Sequence, residues 1–171
     1  ISKFKRDGGR FVSVNPVRTG YSAIADEWVP IRPGTDGAFL LAVIHEILAK
    51  GLYDRDFVVQ YSNGGELVNL DAAHDEYGMF VRTEVPQEEA CYDPQNKLWW
   101  DRHTNRPVLS HAPGADPFLL GEFTLPDGEH QGSKVKPAFA LLAERVRTCT
   151  PEWAEGITGV PAARIEQAAE W

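Results

Sequence analysis

Apolar and polar residues alternate over residues 10–15 (RFVSVN), a β-rich run entered through Gly8-Gly9, and this pattern predicts a strand. Residues 27–31 (EWVPI) form a second short β-rich run, which Pro30 assigns to an edge or a strand end. From Ala38 to Ala49 the pattern changes to apolar residues interrupted only by His45 and Glu46. Opened by Gly34-Thr35-Asp36 and followed by Gly51, this run predicts a helix that starts near Thr35 or Asp36 and ends at a C′ glycine. YDRDFVVQYS follows as a shorter helix, with Asp54 as its N-cap.

Residues 69–135 lose this regularity and are rich in Gly, Pro, Asp and His. They contain one hairpin signal, KLWWDRHTNRPVL, two apolar arms around a polar turn, with Trp99-Trp100 read as hairpin packing or, alternatively, as the lining of a substrate funnel. The zone reads as an irregular excursion from the core, not as a second domain. Residues 136–171 are helical in pattern: KPAFALLAERVRTC puts Phe139, Leu142, Val146 and Cys149 on one face. TPEWAEGITGVPAARIEQAAEW then holds two helices, with Pro151 and Pro161 at their first positions and Trp153 and Trp171 as expected core contacts. The fold class is α/β: a Rossmann-like portion with parallel strands, an excursion with a β-hairpin, and C-terminal helices. Its parts are a strand–loop–helix region (1–68), a loop-rich excursion (69–135) and a helical segment (136–171), together one partial dinucleotide-binding domain.

Composition narrows the partners. The chain of 171 residues is 43% hydrophobic, enough for a substantial core. Its 17 basic against 25 acidic residues give a net charge of −8, without the basic footprint that nucleic acid or an anionic membrane requires. No apolar run is long enough to insert into a bilayer. Cys91 and Cys149 are isolated, so neither a structural zinc nor an iron–sulfur site is expected within these residues. His45 reads as a satisfied helix histidine, and His74, His103, His111 and His130 stand at no metal-binding spacing. The chain opens on Ile1-Ser2-Lys3 without an initiator Met and closes on Trp171 within a helical pattern, which reads as a cut through a longer protein at both ends.

The turn before the long helix has two readings. In the first, Asp36 or Thr35 is a plain N-cap that satisfies free N–H groups and complements the helix dipole. The second draws on the strand end upstream, where Asn15-Pro16-Val17-Arg18-Thr19 follows Val14. Loops beyond the carboxyl ends of parallel strands are the usual nucleotide site of open α/β sheets. Asn15 offers an amide for ribose hydroxyls, and Arg18 and Thr19 offer donors for phosphate. Asp36 offers two acceptor oxygens, which match the paired N1–H and N2 amino donors of guanine, a pair that adenine lacks. The absence of any G-x-G-x-x-G disfavours a complete NAD-dependent dehydrogenase.

The stretch GGRFVSVNPVRTGYSAIADEWVPIRPGTDGAFLLAVIHEILAKGLYDRDFVVQYSNG, followed later by CTPEWAEGITGVPAARIEQAA, resembles the molybdopterin oxidoreductases of the dimethyl sulfoxide reductase family. The likeness is close over residues 8–65 and 136–171 and looser between them. It implies a bis(molybdopterin guanine dinucleotide) cofactor carrying molybdenum or tungsten, with Asp36 at a guanine. It also implies a cofactor-facing role for Asn15, Pro16, Arg18 and Thr19 on the first loop and for Arg32, Pro33 and Gly34 on the second. Asn15 stands where the family has an acid, and Val17 separates Pro16 from Arg18 where the family has them adjacent. The family's metal ligand and its iron–sulfur cysteines lie upstream of the matching segment, so no catalytic or metal-ligating residue is expected here. A 4Fe-4S cluster belongs, on this resemblance, to that upstream region.

The resemblance therefore implies an oxidoreductase segment that binds the guanosine end of the cofactor. Its expected partners are the remaining domains of the same chain and an electron-transfer subunit, with no nucleic acid and no direct membrane insertion. The alternative is a non-catalytic nucleotide-binding α/β module. Because the helix after Asp36 is apolar on nearly every side, the isolated piece is expected to expose large apolar patches.

Overall fold

The two β-rich runs near the start pair with each other in parallel, which places both of the loops that follow them at one edge. In the computed structural model, which describes residues 1–18, 20–83, 96–128 and 130–171, β1 (Val12–Val14) aligns with β2 (Glu27–Val29) in the register Val12–Glu27, Ser13–Trp28, Val14–Val29. A short helix α1 (Ser2–Arg6) precedes them, and a 3-10 turn (Gly20–Ala23) lies on the connection between them. The hydroxyls of Ser13 and Ser22, both buried, meet at 2.7 Å and satisfy each other there. The chain divides into two compact units, one of residues 1–52 with 145–171, the other of residues 53–144.

In the first unit the parallel pair is accompanied by α2 (Asp36–Ala49), α5 (Pro151–Thr158) and α6 (Ala162–Glu170), with α2 packed on both later helices. The core joins Val29 and Ile31 to Phe39 and Ala42 of α2 and to Ala154, Val160 and Ile165. Only Phe39 and Ala42 of α2 are buried, and Leu40 is 55% exposed. Leu41, Val43, Ile44, Ile47 and Leu48 are partly buried, so Leu40 is the one large apolar residue of this helix that is exposed, less apolar surface than the pattern predicts. His45 is satisfied, its Nδ1 lying 2.9 Å from the Val146 carbonyl oxygen.

The two terminal helices start differently. Thr150 caps α5 by accepting from the Trp153 amide, Pro151 stands at its first turn, and Gly159 ends it with φ +73°. Pro161, expected at the first helical position of α6, is instead its N-cap, in an extended conformation (ψ 139°) outside the helix. A proline offers no side-chain acceptor, and Glu155 Oε2 supplies one by accepting from the Ala162 amide at 2.9 Å. The expected core tryptophans are corrected: Trp153 and Trp171 are 40% and 38% exposed, and Trp171 lies beneath the guanidinium groups of Arg10 and Arg164. Glu27, at the start of β2, pairs with Arg164 at 2.7 Å and Arg10 at 2.9 Å, and these hydrogen bonds hold its carboxyl below the usual range.

The second unit contains α3 (Arg55–Tyr61), the antiparallel sheet β3–β7–β6 (Leu67–Asn69, Lys134–Pro137, Phe123–Thr124) and the hairpin of β4 (Leu98–Asp101) and β5 (Arg106–Leu109). The Asp54 carboxylate caps α3 as expected, accepting from the Phe57 amide at 2.9 Å. The region read as an irregular excursion has an apolar cluster of its own, built from Leu67, Val81, Trp100, Leu125 and Val135. No periodic run announces it, because each segment contributes one or two side chains. Trp100 stacks on Phe123 at 4.6 Å and donates from Nε1 to Asn105 Oδ1, so it serves packing. Helix α4 (Ala138–Val146) carries the chain across the unit boundary. Its expected apolar face is shorter than the pattern suggests: Leu142 is 40% exposed and Cys149 is buried in the turn beyond the helix end.

Asp101 closes the hairpin turn. Its carboxylate accepts from the Asp116 amide at 2.9 Å and from the Thr104 amide and hydroxyl, each at 2.8 Å. These bonds, the Asp116 amide foremost, hold its pKa down to about 2 from an ordinary 3.8. A depressed carboxyl contributes stability above its unfolded pKa and loses it as pH falls toward the folded value. The denaturation midpoint of the wild-type protein, followed by tryptophan fluorescence, should therefore exceed that of Asp101→Asn at pH 6. The gap should close as pH falls from 4 to 2. A gap independent of pH would show that the carboxylate charge plays no part.

Candidate functional site

The parallel register ends at Val14 beside Val29, and the Asn15 amide donates to the Val29 carbonyl at 3.1 Å, which extends the pairing one residue further. The loops that begin at Asn15 and at Pro30 therefore leave the sheet side by side at its carboxyl edge. Asn15 Oδ1 accepts from the Val17 amide at 3.0 Å, closing a small Asx-type turn around Pro16. That bond leaves the Asn15 side-chain amide pointing to no partner among the described residues. Trp28 Nε1 donates to the Asn15 carbonyl at 2.8 Å and fixes the base of the loop. Arg18 is exposed, its guanidinium carbon 5.9 Å from the centre of the Trp28 ring. Thr19 lies outside the described residues.

The second loop is shaped by Pro33 and Gly34, both exposed, at the centre of a tight turn. The Thr35 amide donates to the Arg32 carbonyl at 3.3 Å across them, and the Thr35 hydroxyl donates to the same oxygen at 2.7 Å. Gly34 has φ +77°, the conformation a type II turn demands after proline and one that a side chain would strain. Arg32 does not face the loop edge. Its Nη1 donates to the carbonyls of Gly156 and Ile157 at 3.0 and 3.1 Å, and its backbone amide donates to the Thr158 carbonyl at 2.9 Å. A cation at these last carbonyls of α5 complements the negative end of the helix dipole. Arg32 thus fastens the turn to α5, a role that its position between a strand and a turn does not reveal.

Thr35 is the N-cap residue of α2, yet its side chain makes no capping hydrogen bond. Asp36 follows in the first helical turn, exposed, and no hydrogen bond or ion pair engages its carboxylate among the described residues. The plain capping role is therefore filled by neither side chain. The structure brings Asn15, Pro16 and Arg18 together on one loop and Pro33, Gly34 and Asp36 on the next, and draws Arg32 away to α5.

Elsewhere, an apolar cavity of ≈ 290 Å³ in the second unit is lined by Val81, Leu98, Pro107 and Leu125 among others. Arg82, Thr83, Asp127 and His130 add polar groups to this lining. A group that sequence spacing missed also stands in this unit: ligand atoms of His74, Glu76 and His130 all lie within 4.8 Å of one another. His130 is far from the other two along the chain, so only tertiary folding announces the set. No helix among the described residues is long and apolar enough to cross a membrane.

A parallel strand pair with polar loops at its carboxyl edge and helices packed beside it makes this an α/β protein, a class in which such loops are the usual ligand site. No protein-family model matches the chain. It is 61% identical over 169 residues to a sulfite dehydrogenase subunit of Allochromatium vinosum, covering 99% of this chain and 17% of that protein. Over 59 residues it is 46% identical to the thiosulfate reductase molybdopterin-containing subunit PhsA of Salmonella typhimurium, covering 34% of this chain and 8% of that one. Acetylene hydratase from Pelobacter acetylenicus shares the fold, with a TM-score of 0.50 and 21% identity over 98% of this chain and 13% of that one. The relatives of this chain are molybdopterin oxidoreductase catalytic subunits, and it matches one segment of them, consistent with a fragment of the dimethyl sulfoxide reductase family. It spans less than a quarter of the length of the first curated relatives it matches, consistent with the fragment expected from the sequence.

Proposed function

We propose that this chain is the segment of a molybdenum or tungsten oxidoreductase that holds the guanosine end of one molybdopterin guanine dinucleotide. The observation that carries the proposal is the Asp36 carboxylate, exposed at the mouth of α2 with no partner among the described residues and no capping bond. A carboxylate left free beside a helix N-terminus has two acceptor oxygens available for the paired N–H donors of guanine. The Asn15 side-chain amide would donate to ribose hydroxyls, and Arg18 would face phosphate, with Thr19 beside it. Gly34 and Pro33 shape the turn so that Asp36 is presented, and Arg32 acts behind them by anchoring the turn to α5.

When bound, the cofactor supplies the metal-centred redox chemistry of oxygen-atom or hydride-equivalent transfer. The residues of this segment bind and orient its nucleotide end. They neither ligate the molybdenum or tungsten nor exchange a proton with substrate. The reaction centre and a 4Fe-4S cluster would be supplied by other parts of the full-length protein. Leu40 of α2, 55% exposed, is suited to contact with those parts. Relatives whose names mark them as one subunit of several support a complex that includes an electron-transfer protein.

Acid hydrolysis of the purified full-length protein, with nucleotide chromatography and elemental analysis, tests the reading. Release of guanosine monophosphate in fixed ratio to molybdenum or tungsten is the expected result. A different nucleotide, or neither metal in the full-length protein, would overturn it.

A further inference from the structure

We propose that His74, Glu76 and His130 form a binding site for one divalent transition-metal ion of the zinc class, in the second unit and separate from the nucleotide loops. Two turns bring the ligands together. Asp71 organises the first: its carbonyl accepts from the His74 amide at 3.0 Å, and its Oδ1 accepts from the Ala73 amide at 3.0 Å. The second holds His130 by a 3.0 Å bond from the Ser133 amide to the His130 carbonyl. Ser133 Oγ then lies 3.5 Å from Asp71 Oδ2, so the two turns touch beside the ligand set.

His130 is the decisive member. It is 5% exposed, yet neither ring nitrogen is given to the backbone. Its Nε2 lies 3.4 Å from Glu76 Oε2, and its Nδ1 is buried without a hydrogen-bond partner. Nε2, which faces the carboxylate, is the ligand atom, and the ion does not itself satisfy Nδ1 on the other side of the ring. Around a tetrahedral zinc with bonds of about 2.0–2.2 Å, neighbouring ligand atoms stand about 3.3–3.6 Å apart. The His130–Glu76 separation already has that value. The His74 ring lies 4.7 Å from the His130 ring, and the largest spacing within the set, 4.8 Å, closes by a small side-chain movement.

The donor set selects the ion. Two imidazoles and one carboxylate suit zinc and its first-row neighbours and are poor hosts for magnesium or calcium, which prefer oxygen. In the ion-free arrangement His74 Nδ1 accepts from the Glu76 amide at 3.1 Å. Coordination by His74 replaces that bond, and the amide, on an exposed turn residue, passes to water. Three protein ligands leave a fourth position for a water molecule. Bound there, the ion strengthens the tie between residues 71–76 and residues 130–133, which the Ser133–Asp71, His130–Glu76 and His74–His130 contacts already join.

The test uses the full-length protein, stripped with a mild chelator, equilibrated with Zn²⁺ and passed through gel filtration. Zinc is then measured per chain in the wild type and in His74→Ala, Glu76→Gln and His130→Ala. One more zinc per chain is expected in the wild type than in His74→Ala or His130→Ala, with Glu76→Gln binding at least tenfold more weakly. The zinc X-ray absorption spectrum of the wild type should show scattering from two imidazoles. His130→Ala removes a buried ring and risks unfolding, so His74→Ala, at a partly exposed turn position, is the deciding variant. Equal zinc in wild type and His74→Ala overturns the proposal, as does loss of zinc in His130→Ala alone.

Discussion

Asp36→Asn is expected to lower retention of the pterin dinucleotide sharply while leaving the cofactor-free protein nearly as stable as before. The expectation rests on the absence of a capping bond from Asp36, together with its exposure. Asparagine keeps the shape of aspartate but loses the charge and replaces one acceptor with a donor, which would face another donor on guanine. A mismatch of this kind costs roughly 1–3 kcal/mol, about 5- to 150-fold in affinity. The folded chain itself loses only an exposed charge near a helix N-terminus, worth about 0.3–1 kcal/mol. Cofactor content and thermal midpoint, measured side by side in the full-length protein, separate these effects. Unchanged cofactor loading would remove Asp36 from the guanine contact.

Ile165→Ala should cost the fold far more stability than Asp36→Asn or Asp101→Asn. Ile165 is fully buried in the cluster that joins β2, α2, α5 and α6. Truncating a buried isoleucine removes its transfer free energy and leaves a cavity, together about 2–5 kcal/mol. Hydrogen exchange in the full-length protein should show amides of α2, α5 and α6 opening about 30- to 5,000-fold more often. Because these helices support both the Arg32 anchor and the start of α2, cofactor retention should fall as well, together with stability rather than apart from it. That joint loss distinguishes a packing residue from Asp36. Exchange rates close to wild type would show that the cluster collapses around the missing side chain.

Local patterns in the chain carried the parts of the fold whose causes are local. The alternation at 10–15, the apolar run after Asp36 and the glycine at 51 are set by neighbours a few residues apart, and β1, α2 and its end lie where these signals stand. Asp54 and Thr150 cap their helices through bonds spanning three residues. In the second unit the β4–β5 hairpin stands where its two apolar arms predict it, but the strands of the other sheet gave no such signal. All three residues of β3 are buried, so it shows no alternation, and β6 has two residues. Their stability comes from partners distant along the chain, such as Val135 of β7, which pairs with Asn69 on one side and Phe123 on the other.

The candidate site divides along the same line. The order of strand end, turn and helix was legible in the sequence, and with it the resemblance to molybdopterin oxidoreductases that the relatives bear out, because several motifs stand together at fixed spacing. Whether each polar side chain is free or engaged was decided by tertiary structure alone. Arg32 and Asp36 stand four residues apart on one loop. Folding brings the carbonyl end of α5, 124 residues along the chain, against the first and nothing among the described residues against the second. The same reason separates His74, Glu76 and His130 from the other histidines: composition shows five, and only the packing of two remote turns brings two of them to one carboxylate. Sequence determines which groups a chain has to offer, since local geometry follows from nearest neighbours. Long-range packing decides which of those groups remain available, since hydrogen bonds and burial between distant segments consume the rest.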